Sequence, residues 1–357
     1  MSASQENKTG LVAFFADPLA PGRRRRREEF ATTFLSPGDV KPPDLPAAKV
    51  KRVVFYNHFH NGDVHLTRGI VREIIRLLPG REFVYGHGCP PDLLADSPMI
   101  RHDASIHNTL RRNRPYLVEP DSGTVYINTW IGCLGTRTVQ LYGGCNILLL
   151  RNILAASVRH SMGLELPPVE QCVPEPDYSR YAIEYTDQFM RHDARPKVLI
   201  SNGKVLSMQS ADFDFSPFIK ALAEQFPDVL FIPSNPTAAK AGNIVQSADI
   251  IRKNGPDLNE NGYLSTFCAA IIGRSSGTYS FSIHRRNLES GKLFLSFCHC
   301  PLEASLGFDD PVFSARCAFI ASNDFRPPLM LRRMVRVVQL ALENRSHREA
   351  TVESMTG

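Results

Sequence analysis

The stretch Val53-Val54-Phe55-Tyr56-Asn57-His58-Phe59-His60-Asn61-Gly62-Asp63-Val64-His65 constrains the fold more than any other part of the chain. A short apolar run meets a polar turn and then the start of a helix. Ile70, Ile74, Ile75, Leu77 and Leu78 recur on one face of that helix, and Pro79-Gly80 ends it. Glu82-Phe83-Val84-Tyr85 supplies the next strand. A strand, a helix and a strand at this spacing make a β-α-β unit, which requires a parallel sheet with a right-handed crossover. Parallel sheets bind ligands beyond the carboxyl ends of their strands, so the polar turn around Asp63 is where chemistry is expected.

The remainder of the chain repeats the alternation. Thr124 to Asn128 reads as a strand running into Thr129-Trp130, and Asn146 to Met162 as a long apolar helix. A bridging helix is expected from about Ser179 to His192. A second series then opens with Lys197-Val198-Leu199-Ile200-Ser201-Asn202-Gly203-Lys204, again strand then glycine turn. A helix carrying Phe218, Ile219, Leu222 and Phe226 follows, then strands at Val229–Ile232, Ala270–Gly273, Leu293–Cys298 and Ala318–Ala321. The last helix, about Pro328 to Asn344, starts at a proline pair that a first helical turn tolerates. At 357 residues the chain is too long for one ordinary domain, and 43% apolar residues supply two cores. The expected fold class is therefore α/β, with two Rossmann-like doubly wound domains facing across a cleft. The expected division is an arm over 1–47, an acceptor-side domain over 48–192, a donor-binding domain over 193–326, and a C-terminal helix and tail over 327–357 that is free to pack back on the first domain.

Charge excludes a global field for nucleic acid. The net charge is +5, and the run Arg23, Arg24, Arg25, Arg26, Arg27 alone contributes five positive charges, which leaves the rest near neutral. That arm is expected to be solvated, with contact to a membrane surface as its functional alternative. No run approaches the eighteen or so apolar residues of a membrane span, and Leu11 to Phe15 is too short for a signal peptide. The eight cysteines lie in apolar segments, and Cys298-His299-Cys300 has no zinc or redox spacing, so reduced thiols and a cytoplasmic setting are expected.

Each motif admits two readings. A carboxylate beside imidazoles suits removal of a proton from a hydroxyl, whereas Asp63 could equally cap its helix, with Asn61 as the alternative cap. Gly62 would let the backbone approach a ligand or take positive φ. His58, His60, Asp63 and His65 also suggest a metal-dependent hydrolase, but their spacing departs from the His-x-His-x-Asp-His pattern of metallo-β-lactamase-type enzymes, and no metal is expected. Gly203-Lys204 and Arg274-Ser275-Ser276-Gly277-Thr278 offer backbone N–H groups, hydroxyls and cations to a diphosphate. Neither has the spacing of a P-loop, and no Gly-x-Gly-x-x-Gly follows a strand. Trp130, the single tryptophan, can stack on a sugar ring or fill the core.

Together, Asn61-Gly62-Asp63-Val64, Leu78-Pro79, Ile200-Ser201-Asn202-Gly203-Lys204 and Arg274-Ser275-Ser276-Gly277-Thr278 resemble the motifs of the two-Rossmann GT-B glycosyltransferases, the heptosyltransferase-like group in particular. The resemblance covers about Lys51 to Asn344 in organisation, through short motifs. It implies that Asp63 deprotonates the acceptor hydroxyl, with His58, His60, Asn61, His65 and Trp130 on the acceptor side. It also implies that a nucleotide diphospho-sugar, a co-substrate and not a bound cofactor, is held by Gly203, Lys204, Arg274, Ser275, Ser276, Gly277 and Thr278. Transfer would be inverting and metal-independent. The donor turn lacks the family's aspartate and following histidine, and the histidines around Asp63 lie outside its pattern. The competing expectations are a nucleotide-sugar epimerase or hydrolase on the same fold, the metal-dependent hydrolase, and a non-catalytic nucleotide- or carbohydrate-binding protein.

Overall fold

The structure, a computed structural model, describes residues 41–58, 61–106, 114–130, 146–205, 210–274, 277–299 and 318–356. His60, Ser275, Ser276 and the run Arg23 to Arg27 lie outside them. The chain divides into two compact units between Glu175 and Pro176.

In the first unit, β1 (Arg52–Asn57) leads into α1 (Asn61–Leu77), which crosses to β2 (Glu82–His87) and then β3 (Ile100–His102). The chain next forms a hairpin of β4 (Tyr116–Glu119) and β5 (Thr124–Asn128). The sheet order is β3-β2-β1-β5-β4, with β4 antiparallel to β5 and every other pairing parallel. β4 is an edge strand of half-exposed residues flanked by prolines, and for that reason its apolar pattern is faint in the sequence. The hairpin turn ends on Gly123 at φ +70°, a conformation that favours glycine.

The order of strands fixes where a site can be. From β1 the chain builds outward through β2 and β3, then returns to place β5 on the other side of β1. The carboxyl ends of β1 and β5 therefore flank a switch point, where side chains can line a crevice without a helix across it. α1 starts at this end, just after β1, and packs against that strand. Val64, Ile70 and Ile74 on the helix are buried, as are Val53, Phe55, Val84 and Ile127 on the strands. Gly69 permits a still closer approach, because a Cβ there would lie 2.1 Å from the Cys172 carbonyl oxygen. The helix α2 (Asn146–Met162) adds Ile147, Leu150, Ile153 and Leu154 to the buried set.

In the second unit, the strands are β6 (Lys197–Ser201), β7 (Leu230–Pro233), β8 (Ala270–Arg274), β9 (Leu293–Phe297) and β10 (Ala318–Ser322). They run in the order β10-β9-β8-β6-β7, and all are parallel. This is a doubly wound sheet whose switch point lies between β6 and β8. The helix α3 (Glu184–His192) is tied into this unit by Tyr263, whose hydroxyl donates to Asp187, so the expected junction after residue 192 sits inside the second unit. α4 (Ser216–Gln225), α5 (Ser247–Ile251), α6 (Leu258–Ser265), α7 (Gly277–Phe281) and α8 (Arg285–Glu289) alternate with the strands. The final helix, α9 (Pro327–Thr356), buries Met330, Met334, Val337, Val338 and Ala341 in the second core with Ile200, Ile272 and Leu295.

Gly69→Ala tests the seating of α1. Its methyl group meets backbone on the 3-10 turn Val169–Cys172, which cannot rotate away, so the variant is expected to lose about 1–3 kcal/mol of stability in urea denaturation. An unchanged midpoint would show that the helix is not pressed against that turn.

Candidate functional site

The parallel strands of the first sheet end on asparagine or histidine: Asn57 on β1, His87 on β2, His102 on β3 and Asn128 on β5. Their side chains are joined. Asn57 Nδ2 donates to Thr129 Oγ1 at 3.1 Å, and the Tyr85 hydroxyl lies 2.7 Å from the same oxygen and 3.4 Å from Thr67 Oγ1. Asn128 uses both halves of its amide: Nδ2 donates to Arg114 O at 3.0 Å, and Oδ1 accepts the Trp130 N–H at 3.0 Å. The amide thus holds the half-exposed Trp130 just past the strand end. His102 Nε2 reaches His87 O at 3.0 Å with the two rings 4.3 Å apart, and Cys89 N–H donates to His87 Nδ1 at 3.2 Å.

Asp63 is the acidic residue in the first turn of α1, half-buried beside this network. The helix begins at Asn61, so Asp63 is its third residue and not a cap, and Gly62 is helical without positive φ. A negative side chain in that turn interacts favourably with the helix dipole. Its charge is felt nearby. Burial pushes the Cys89 thiol up to about 12, and the charge of Asp63 adds to the shift. Burial likewise drives the Tyr85 phenol well above its ordinary value, with Cys89 and Asp63 contributing. Both groups therefore stay protonated near neutrality.

The residues expected beside Asp63 differ in burial. His58 is half-buried and packs edge-on to Tyr56 at 5.5 Å, just beyond β1. Asn61 is half-buried at the start of α1. His65 is fully buried in α1, beneath the turn and away from solvent. Among the described residues no group of three or more His, Cys, Asp or Glu side chains is placed to hold a metal ion. Tyr85, Thr129, Asn57 and His87 were missed in the sequence, although the polar residue closing each apolar run was a usable signal.

In the second unit, the turn after β6 meets the turn after β7. Asn202 Nδ2 donates to Asn235 O at 2.9 Å, and Asn235 N–H donates back to Asn202 Oδ1 at 2.8 Å. Gly203 sits so close that a Cβ would lie 2.9 Å from Asn235 Oδ1. Gly203, Lys204 and Arg274, some seventy positions apart, come together here. The exposed Lys204 ammonium is 3.8 Å from Asp212, which is also 3.4 Å from the Arg274 guanidinium. Gly277 opens α7 and Thr278 is buried in its first turn. Gly273 lets β8 close on β6, since a Cβ there would lie 2.3 Å from Ser201 O. The result is a polar rim at the carboxyl ends of β6, β7 and β8, with the Lys204 cation at its exposed edge beside Asp212. Such a rim suits an anion carrying phosphate groups.

No family model matches the chain, and no curated protein matches it. Among solved structures it is similar to the glycosyl transferase family 9 from Veillonella parvula, at 12% identity and a TM-score of 0.46, over 84% of this chain and 99% of that one. It is also similar to the E. coli ADP-heptose lps heptosyltransferase II, at 14% identity and a TM-score of 0.44, over 83% of this chain and 99% of that one. A third is E. coli heptosyltransferase WaaC with ADP-2-deoxy-2-fluoro heptose, at 12% identity and a TM-score of 0.38, over 68% and 88% of the two chains. Scores this low transfer no activity, and the residues themselves carry the functional argument.

The reach of the Asp63 charge is measurable. Asp63→Asn removes a charge that opposes ionisation of Cys89, so the thiol pKa falls and the thiolate fraction at pH 9 rises. Iodoacetamide labelling of the Cys89 peptide, followed by mass spectrometry, should be faster in the variant. An equal or slower rate would separate Asp63 from that end of the sheet.

Proposed function

We propose that the chain is a glycosyltransferase that moves a sugar from a nucleotide diphospho-sugar to an acceptor hydroxyl, with inversion and without a metal ion. The observation that carries this reading is the content of the two switch points. One holds a carboxylate at a helix start beside protonated, hydrogen-bonded groups, and the other holds a glycine turn with an exposed lysine 3.8 Å from Asp212. Proton removal and diphosphate binding are the two tasks that such a transfer needs. The short motifs shared with the heptosyltransferase-like enzymes divide the tasks between the units in the same way.

Asp63 is assigned as the general base that deprotonates the acceptor hydroxyl as it attacks the anomeric carbon. A single displacement from the face opposite the leaving group inverts that carbon. His58, Asn61 and Trp130 are assigned to the acceptor side, His60 with them by its place in the turn. His65, being fully buried, supports the helix and does not face the acceptor. On the donor side, Gly203, Ser275, Ser276, Gly277 and Thr278 offer N–H groups and hydroxyls to the diphosphate. Lys204 supplies a cation that offsets charge on the departing nucleoside diphosphate, replacing a metal ion in that task.

The test pairs turnover with binding. In a panel of nucleotide sugars with and without sugar acceptors, the wild type should release nucleoside diphosphate only when an acceptor is present. Asp63→Asn should slow that release by about 10²–10⁴-fold, the usual worth of a general base, with the thermal shift produced by the nucleoside diphosphate unchanged. Undiminished turnover would remove Asp63 from the mechanism, and release without an acceptor would indicate a hydrolase.

A further inference from the structure

We infer that Arg274 is a positioning residue, a strut that ties the segment after β6 to the end of β8 and thereby aligns Gly203 and Lys204 for the donor. The inference rests on the donor-site reading above and deepens it, because Arg274 acts there through the backbone and not as a phosphate ligand. An arginine has five N–H donors in a fixed plane. Nη1 donates to Asn202 O at 3.1 Å and to Gly203 O at 2.9 Å. Nη2 donates to Phe213 O and lies 3.4 Å from Asp212 Oδ1. The remaining donor, Nε, is buried without a partner. Both terminal nitrogens are thus committed to groups of this chain.

The rest of the surroundings fix the plane of the guanidinium. Its carbon stands 4.5 Å from the centre of the Phe213 ring and 5.0 Å from that of Phe215, and the residue as a whole is 2% exposed. Hydrogen bonds to three carbonyls and two aromatic contacts therefore hold both ends of the loop, 202–203 and 212–215, against one strand end. Arg274 directly precedes Ser275-Ser276-Gly277-Thr278. Its backbone is held by β8 and its side chain by the loop carbonyls. Gly203, whose carbonyl it holds, and Lys204 are aligned by the same bonds. Burial lowers the Arg274 pKa, and the carboxylates of Asp212 and Asp214 oppose that shift. A lysine cannot substitute, since a point charge lacks the planar fork that reaches separate carbonyls.

Arg274→Lys and Phe213→Leu test the inference in the full chain. Binding of ADP, GDP and UDP is measured by calorimetry, and hydrogen exchange is followed in peptides covering 202–205 and 210–215. Arg274→Lys is expected to weaken whichever nucleoside diphosphate the wild type binds by about ten-fold or more, although charge is kept. Exchange in both segments should rise, and Phe213→Leu should raise it in the same direction. Affinity within about two-fold of wild type, or unaltered exchange in both segments, would overturn the strut. If the lysine variant lacks a folded far-ultraviolet spectrum, Phe213→Leu decides on exchange alone. A wild type that binds none of the three nucleotides overturns the donor-site reading itself, and this role with it; weakened binding in the variants alone cannot arise that way.

Discussion

A strand buried on both faces has no room for polar side chains along its length, so a parallel sheet must carry its chemistry at the strand ends. That constraint organises both units. β6, β8 and β9 are buried at every residue, and β1 at all but its first. What such strands cannot carry inside appears where they stop: Asn57, His87, His102 and Asn128 in the first sheet, Asn202 and Arg274 at or just after the ends in the second. Because the strands are parallel, these residues gather on one edge. Because the chain winds outward in both directions from β1 and from β6, the gathering leaves an opening between two particular strands in each sheet.

The two edges are chemically unlike. At the first, hydrogen-bonded neutral groups lie near the Asp63 carboxylate. Tyr85, Thr129, Thr67 and Asn57 bond to one another, and burial holds the Tyr85 and Cys89 protons in place. In the proposed reading Asp63 is the base, and a neighbour that ionised first would compete for the proton. At the second, charges of both signs are arranged in depth. Arg274 is sunk into the fold beneath carbonyls and aromatic rings, Asp212 bridges it outward, and Lys204 stands in solvent at the end of the series. An outer lysine can turn toward an incoming anion, whereas the inner arginine cannot move without unfastening the loop that it holds.

How much of this was legible depended on whether a residue's role was local. The β-α-β unit around Asp63 was plain, since an apolar strand, a helical stripe and Pro79-Gly80 are all signals of near neighbours. The hairpin strand Tyr116–Glu119 was hidden because an edge strand buries little and needs no apolar run. His65 looked like a companion of Asp63 from its spacing alone. Two residues along a helix are about 200° apart, so one faces the crevice and the other the core. Arg274 looked like a phosphate ligand because it adjoins a serine-glycine turn. Its partners, Asn202, Gly203 and Phe213, are sixty to seventy positions distant, and nothing local announces them. Long-range hydrogen bonding decides such cases, and single-sequence patterns do not encode it.

The central claim is that a nucleoside diphosphate binds at the carboxyl ends of β6, β7 and β8. Hydrogen-exchange mass spectrometry of the full chain, with ADP, GDP and UDP added separately, tests it most directly. The account predicts that one of them slows exchange in peptides spanning 202–205, 234–235 and 277–281, with the opposite edge around Arg195, Phe267 and Gly291 unchanged. Protection confined to that opposite edge, or none with any of the three, would contradict it.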